Sequence, residues 1–105
     1  MHGTFDELKN EILALKAYEM LSIATQEHDF LVTNLPDENS RAPIDFRVNC
    51  HNRYPQDEAD RIQSIMKSSN ITHVMALIIG VMCQESEGFS DRLEPVVWGR
   101  MNSNG

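Results

Sequence analysis

The chain has 105 residues, 41% of them hydrophobic and 24% charged, which fits one ordinary globular domain and excludes disordered, collagen-like and coiled-coil chains. Sixteen acidic residues against nine basic ones give a formal net charge of -7. Because phosphate-based binding of nucleic acid needs clustered lysines and arginines, we expect no direct contact with nucleic acid. We expect one α+β domain over residues 1–100 and a disordered tail over residues 101–105.

The cysteines and the apolar runs indicate the compartment. Residues 1–15 lack the cationic start and apolar run of a secretory signal peptide, so we expect Cys50 and Cys83 to be free thiols. The longest apolar stretch, residues 74–83, has about half the length that a membrane span requires. We therefore expect a cytoplasmic protein that makes no membrane contact.

The first third of the chain predicts a long N-terminal helix. Thr4 and Glu7 form a capping box, and apolar residues at helical spacing follow them. This pattern places the helix end between residues 19 and 27. Residues 21–25 also alternate as a strand does, so the helix and the strand both remain open for that segment. The choice decides whether the sheet has two strands or three.

Two strands are predicted in the middle of the chain. Residues 30–35 are rich in β-forming residues, and residues 44–49 alternate between apolar and polar side chains. In the second segment Ile44, Phe46 and Val48 are expected to face a core. Because eight residues, 36–43, separate the two segments, we expect an antiparallel β-hairpin.

A C-terminal helical hairpin is predicted after the strands. The second helix begins near Pro55 and has a buried stripe of four residues, which are Ala59, Ile62, Ile65 and Met66. A third helix follows a break at residues 68–70, with Asn70 or Thr72 as its cap, and runs to about Gln84. It is apolar on almost every side, which is typical of a central helix or of one covered by another subunit. Residues 95–98 are expected to form a short final strand or a packed tail.

The histidines and cysteines do not have the spacing of a metal site. No pair stands at the intervals that zinc ligands use, so we expect neither a metal nor a cofactor. Cys50 is the better candidate for a reactive thiol, because Arg47, His51 and Arg53 lie close in sequence. A buried structural cysteine at the end of a strand is the favoured interpretation. Cys83 is expected to be inert within its apolar helix.

One pattern indicates hydrolysis. Pro36-Asp37 followed by Asp45-Phe46-Arg47 partly resembles the pattern of metal-dependent nucleases, in which two carboxylates hold a divalent ion and a lysine orients water. Arg47 stands at the lysine position, where a permanently charged guanidinium serves poorly. A metal-dependent hydrolase or nuclease-like enzyme that uses Asp37 and Asp45 is therefore the alternative function, and no catalytic residue is assigned.

The favoured function is protein binding. Residues 1–40 hold eight acidic residues and two lysines, an imbalance that affects the choice of partner. We expect a small acidic, non-enzymatic module that acts as an inhibitor or adaptor of a larger complex, including one that handles nucleic acid. The expected partner contacts are Asp6, Glu7, Glu11, Glu19, Glu27, Asp29, Asp37 and Glu38. A further alternative is a homo-oligomeric structural protein that dimerises through the apolar segment of the third helix over residues 71–83, which begins at Ile71 and ends at Cys83.

Overall fold

The computed structural model describes residues 4–36, 45–54, 57, 63–85 and 97–101. Seven elements lie in these ranges, namely α1 (Phe5–Leu13), β1 (Met20–Ala24), β2 (His28–Asn34), β3 (Phe46–Asn52), β4 (Gln63–Ser68), α2 (Ile71–Glu85) and β5 (Val97–Met101). The strands form one antiparallel sheet in the order β4-β3-β2-β1-β5. Strands β4 and β5 are therefore the edges of the sheet.

The predicted long N-terminal helix is wrong. Helix α1 does begin at the predicted cap, since the Thr4 hydroxyl accepts a hydrogen bond of 3.2 Å from the backbone N–H of Glu7. It ends at Leu13, however, and the chain then turns through Tyr18, whose φ of 67° is left-handed. The segment whose alternation also fitted a strand forms β1 instead, because β2 and β5 pair with it on both sides.

The predicted hairpin is confirmed, although it belongs to a larger sheet than expected. Strands β2 and β3 pair along seven residues each. Phe46 and Val48 are buried and Arg47 is exposed, as the alternation predicted. Strand β2 likewise alternates between buried and partly buried positions along its whole length. One face of the sheet is therefore packed and the other is more accessible.

The predicted C-terminal helical hairpin is also wrong. Ile65 and Met66 lie in β4, where Met66 pairs with Val48 and packs against the core while Ile65 is 58% exposed. Adjacent residues of a strand point to opposite faces, so these two share no stripe. The other two predicted stripe residues, Ala59 and Ile62, lie outside the described residues.

The third predicted helix is confirmed. Of the two alternatives for residues 95–98, the strand is found at residues 97 and 98, and residues 95 and 96 lie outside the described residues. Helix α2 is capped by Asn70, whose side-chain oxygen accepts a hydrogen bond of 2.8 Å from the backbone N–H of Thr72. Strand β5 pairs with β1, and Met101, the first residue of the predicted tail, lies opposite Met20. Residues 102–105 lie outside the described residues.

One hydrophobic core joins both helices to one face of the sheet, so the described residues form a single α+β unit. The core holds Leu8 and Ile12 of α1, several residues of α2, and inward-facing strand residues such as Phe30 and Val48. We call the face that packs on the helices the covered face and the opposite one the open face. In the part of the chain that the structure describes, no helix is long and apolar enough to cross a membrane.

Candidate functional site

The open face carries side chains from all five strands. The antiparallel registers and the two-residue period of a strand assign positions to it. Among the described side chains there, none is buried, whereas the apolar residues of the covered face are nearly all buried. The open face comprises Met20, Ser22, Ala24, Asp29, Leu31, Thr33, Arg47, Asn49, His51, Ile65, Lys67, Val97 and Gly99.

A depression of about 630 Å³ lies over the middle of the open face. Its lining includes Ser22, Leu31, Asn49 and Ile65, which lie side by side on four neighbouring strands. Leu31 and Ile65 make this row apolar. The side-chain oxygen of Asn49 is buried and accepts no hydrogen bond from the described residues. The depression therefore joins apolar surface with an acceptor for a donor on a bound molecule, in a volume typical of ligand sites.

Two cations lie next to this apolar row. Arg47 and Lys67 are directly opposite each other on β3 and β4, and both are exposed. Like charges in this arrangement repel and weaken a sheet. In the described ranges no carboxylate pairs with either residue, Asp45 included. This end of the open face therefore carries two positive charges that no described carboxylate pairs with, and we call these two residues the basic row.

The other end of the open face is electrically balanced. The Asp29 carboxylate lies 3.5 Å from Nε2 of His51 and 3.4 Å from Nε of Arg53. The Arg53 guanidinium also donates a hydrogen bond to the backbone oxygen of Thr25 and lies 5.4 Å from the centre of the Tyr54 ring. Arg53 therefore holds the β1–β2 turn against the end of β3, and its charge is already used.

The structure distributes the predicted acidic contacts over several surfaces. Glu11 and Glu19 are brought together by Arg100 of β5, at 3.7 and 3.9 Å. Asp29 lies on the open face in the ion pairs just described. The exposed residues Asp6 and Glu7 lie in the first turn of α1, and Glu27 lies in the β1–β2 turn. Asp37 and Glu38 lie outside the described residues.

The thiol and metal candidates have the following positions. Cys50 is 1% exposed and packs in the core, which confirms the favoured interpretation, and the neighbouring His51 is exposed. Cys83 is exposed on α2, contrary to the prediction that it lies enclosed within the apolar helix. Asp45 directly precedes β3, whereas Asp37 lies outside the described residues. The described residues contain no group of three His, Cys, Asp or Glu side chains that could hold a metal ion.

The sequence patterns predicted that Arg47 faces outward but missed that Lys67 lies opposite it, so they did not predict the basic row. The alternation within Gln63–Ser68 was the available signal, since it puts Ile65 and Lys67 on one side and Met66 on the other. This signal was overlooked because Ile65 and Met66 also stand at helical spacing from two earlier apolar residues, Ala59 and Ile62.

In comparisons with known proteins, no family model, no curated protein and no solved structure matches this chain.

Proposed function

We propose that this chain is a small non-enzymatic protein-binding module, an inhibitor or adaptor, that binds a segment of its partner on the open face. The observation that carries the proposal is the depression over that face. Antiparallel sheets commonly have one face in water, so exposure alone would mean little. Here the accessible face is concave, and apolar Leu31 and Ile65 flank an unsatisfied acceptor on Asn49.

The dimensions of the face favour a segment over a whole domain. Five strands about 4.8 Å apart and about 20 Å long give a surface of roughly 400 Å². A stable interface between two folded proteins buries about 800 Å² of accessible surface on each side, and its flat footprint is wider than this face. An extended or short helical segment covers the smaller area completely, and its side chains can enter the half-open depression.

The cysteines support a reducing, cytoplasmic location as part of the same proposal. Neither Cys50 nor Cys83 is part of a disulfide bond, and Cys83 is exposed. An exposed unpaired thiol is uncommon in oxidising compartments, where it would form disulfides with other molecules.

Of the acidic residues predicted as partner contacts, Asp29 lies on the open face. Asp6 and Glu7, which lie in α1, remain predicted contacts.

A peptide selection tests the proposal. The wild-type protein is immobilised and exposed to a random peptide display library, and enriched peptides are synthesised for titration. Ile65→Lys puts a charge into the apolar row at an exposed position, and Thr72→Lys makes a matched change in charge on α2. Because an apolar anchor at the centre of a contact contributes strongly, we expect Ile65→Lys to weaken binding by about tenfold and Thr72→Lys to leave it unchanged.

Three results would overturn the proposal. Failure to enrich any peptide above background would show that the open face does not select segments. Equal binding to the wild type and to Ile65→Lys would place the contact elsewhere. A loss of binding in Asp6→Asn/Glu7→Gln instead would locate the contact on α1, as the acidic composition of the first third predicted.

A further inference from the structure

We infer that the basic row, Arg47 with Lys67, is a carboxylate subsite and that the bound segment places an acidic side chain there. This inference rests on the proposed function and names the chemistry of the partner segment. The two cations are directly opposite on adjacent strands, so each raises the electrostatic energy of the other. A carboxylate between them removes that repulsion and satisfies donors on both side chains.

The contrast with other arginines of the chain supports this assignment. Arg53 lies beside Asp29, and Arg100 lies beside Glu11 and Glu19. The chain as a whole is acidic, with a formal charge of -7. Yet in the described residues no acidic side chain neutralises Arg47 or Lys67. The basic row therefore carries a local positive charge, which attracts an acidic side chain toward a protein that otherwise repels it.

The spacing of the two rows defines a pattern in the ligand. Ile65 and Lys67 are two residues apart on β4, as Asn49 and Arg47 are on β3, which separates the apolar row from the basic row by about 6.8 Å. An extended peptide has the same repeat between residues i and i+2. A peptide that runs along these strands therefore seats an apolar side chain in the depression and an acidic one, two residues away, on the basic row.

The neighbouring apolar row identifies the source of the anion as a protein segment. A phosphate of a nucleic acid would satisfy Arg47 and Lys67, but the row beside them is aliphatic, with Leu31 and Ile65, and its described residues include no aromatic side chain on which a base would stack. A peptide supplies a carboxylate, an apolar side chain and a backbone N–H that can donate to the buried oxygen of Asn49. Arginine also binds carboxylates with two parallel hydrogen bonds, which fixes the direction of the side chain.

The test uses the peptides selected on the wild-type protein. We expect them to share an acidic residue two positions from an apolar one. The variant Arg47→Gln/Lys67→Gln keeps most of both side chains and removes two charges, and Lys9→Gln/Lys16→Gln is the matched control outside the open face. Each exposed ion pair contributes up to about fivefold in affinity, so we expect a loss of about fivefold to twenty-fivefold in the first variant and little in the control.

A change in the peptide distinguishes a direct contact from a general effect of charge. Replacing the acidic residue of the peptide by glutamine should weaken binding to the wild type as much as the double substitution Arg47→Gln/Lys67→Gln does. It should not weaken the binding of the peptide to that variant any further. Added salt should weaken binding to the wild type more than to that variant, because exposed charges are screened.

Three results would overturn the inference. Peptides that need Ile65 but bind Arg47→Gln/Lys67→Gln with unchanged affinity would leave the proposed function standing and remove the carboxylate subsite. No enriched peptide at all would remove both. Binding of a single-stranded oligonucleotide that depends on Arg47 and Lys67, with no acidic peptide bound, would replace the carboxylate by a phosphate.

Discussion

The guanidinium of Arg53 donates a hydrogen bond to the backbone oxygen of Thr25 and thereby links the end of β3 to the end of β1 across β2. The backbone N–H of Arg53 donates to the carbonyl of Glu27 over 2.8 Å, in the turn between β1 and β2. Thr25 itself closes that turn, because its hydroxyl accepts a hydrogen bond of 3.0 Å from the backbone N–H of His28. One arginine therefore fixes the turn at the balanced end of the open face.

Replacing Arg53 by methionine should destabilise the fold. Arg53→Met keeps an unbranched side chain but removes the donor to Thr25 and the cation beside Asp29, so we expect a loss of about 1 to 2 kcal/mol. Urea unfolding followed by the fluorescence of the buried Trp98 measures it. Arg47→Met is the control, for which a change within about 0.5 kcal/mol is expected. Equal effects of the two changes would contradict the structural role of Arg53.

Asn34 joins the segment after α1 to β2 from inside the core. It is 5% exposed, and its side-chain nitrogen donates a hydrogen bond of 2.8 Å to the carbonyl of Leu15. Asn34→Ala leaves that carbonyl without its partner, which should cost about 1 to 3 kcal/mol. Asn34→Asp should cost more, because it replaces the donor with a buried charge. Thr33→Ala on the open face is the control, and an Asn34→Ala protein as stable as that control would refute the assignment.

The sequence predicted the elements whose signal is local. Helix α2 follows from a long apolar run after Asn70, and β3 follows from strict alternation around Val48. Strand β4 has a weaker alternation, and its conformation depends on pairing with β3, which lies about fifteen residues earlier in the sequence. No glycine or proline marks the end of α1 in the sequence, because the left-handed position after the helix is occupied by a tyrosine, Tyr18. Tertiary pairing therefore decided both elements that the patterns assigned wrongly.

The strain at Tyr18 gives a stabilising prediction. Its φ is 67°, which is unfavourable for a residue with a Cβ, and the residue is 61% exposed. Tyr18→Gly removes the steric conflict and loses little packing, so we expect a gain of about 1 kcal/mol. Tyr18→Ala loses the same ring but keeps the Cβ, and should change stability by less than about 0.5 kcal/mol. Thermal unfolding of the two variants compares them, and a glycine variant less stable than the alanine variant would contradict the strain.

The candidate site was less predictable than the fold because its residues are brought together by register. Arg47 and Lys67 are twenty positions apart, and each alone is typical of a solvated strand face. A shift of one residue in the pairing of β4 would turn Lys67 toward the core. The acidic residues were prominent in composition, yet Glu11, Glu19 and Asp29 are paired within the chain.

A substitution at Gly80 tests whether the outer side of α2, which faces away from the core, is free of contacts. Apart from its own helix backbone and chain neighbours, no described atom lies within 4 Å of the position that a Cβ would take at residue 80, and Gly80 is exposed. Glycine within a helix is about 1 kcal/mol less favourable than alanine, so Gly80→Ala should raise the free energy of unfolding by about 0.5 to 1 kcal/mol. Ala76→Gly makes the reverse change on the same helix and should lower it by a similar amount.

The same variant bears on the predicted dimer through this helix. Its apolar residues Val74, Ile78 and Val81 pack in the core of their own chain, which already accounts for much of its hydrophobic character. If Ala76, Gly80 and Cys83 nevertheless contacted a second copy closely, an added methyl group at Gly80 would disturb that contact. Light scattering at high protein concentration, compared between the wild type and Gly80→Ala, distinguishes a free outer side of α2 from a close contact with a second copy. A dimer that Gly80→Ala dissociates would contradict a free outer side, because only a surface packed against residue 80 can sense one methyl group there.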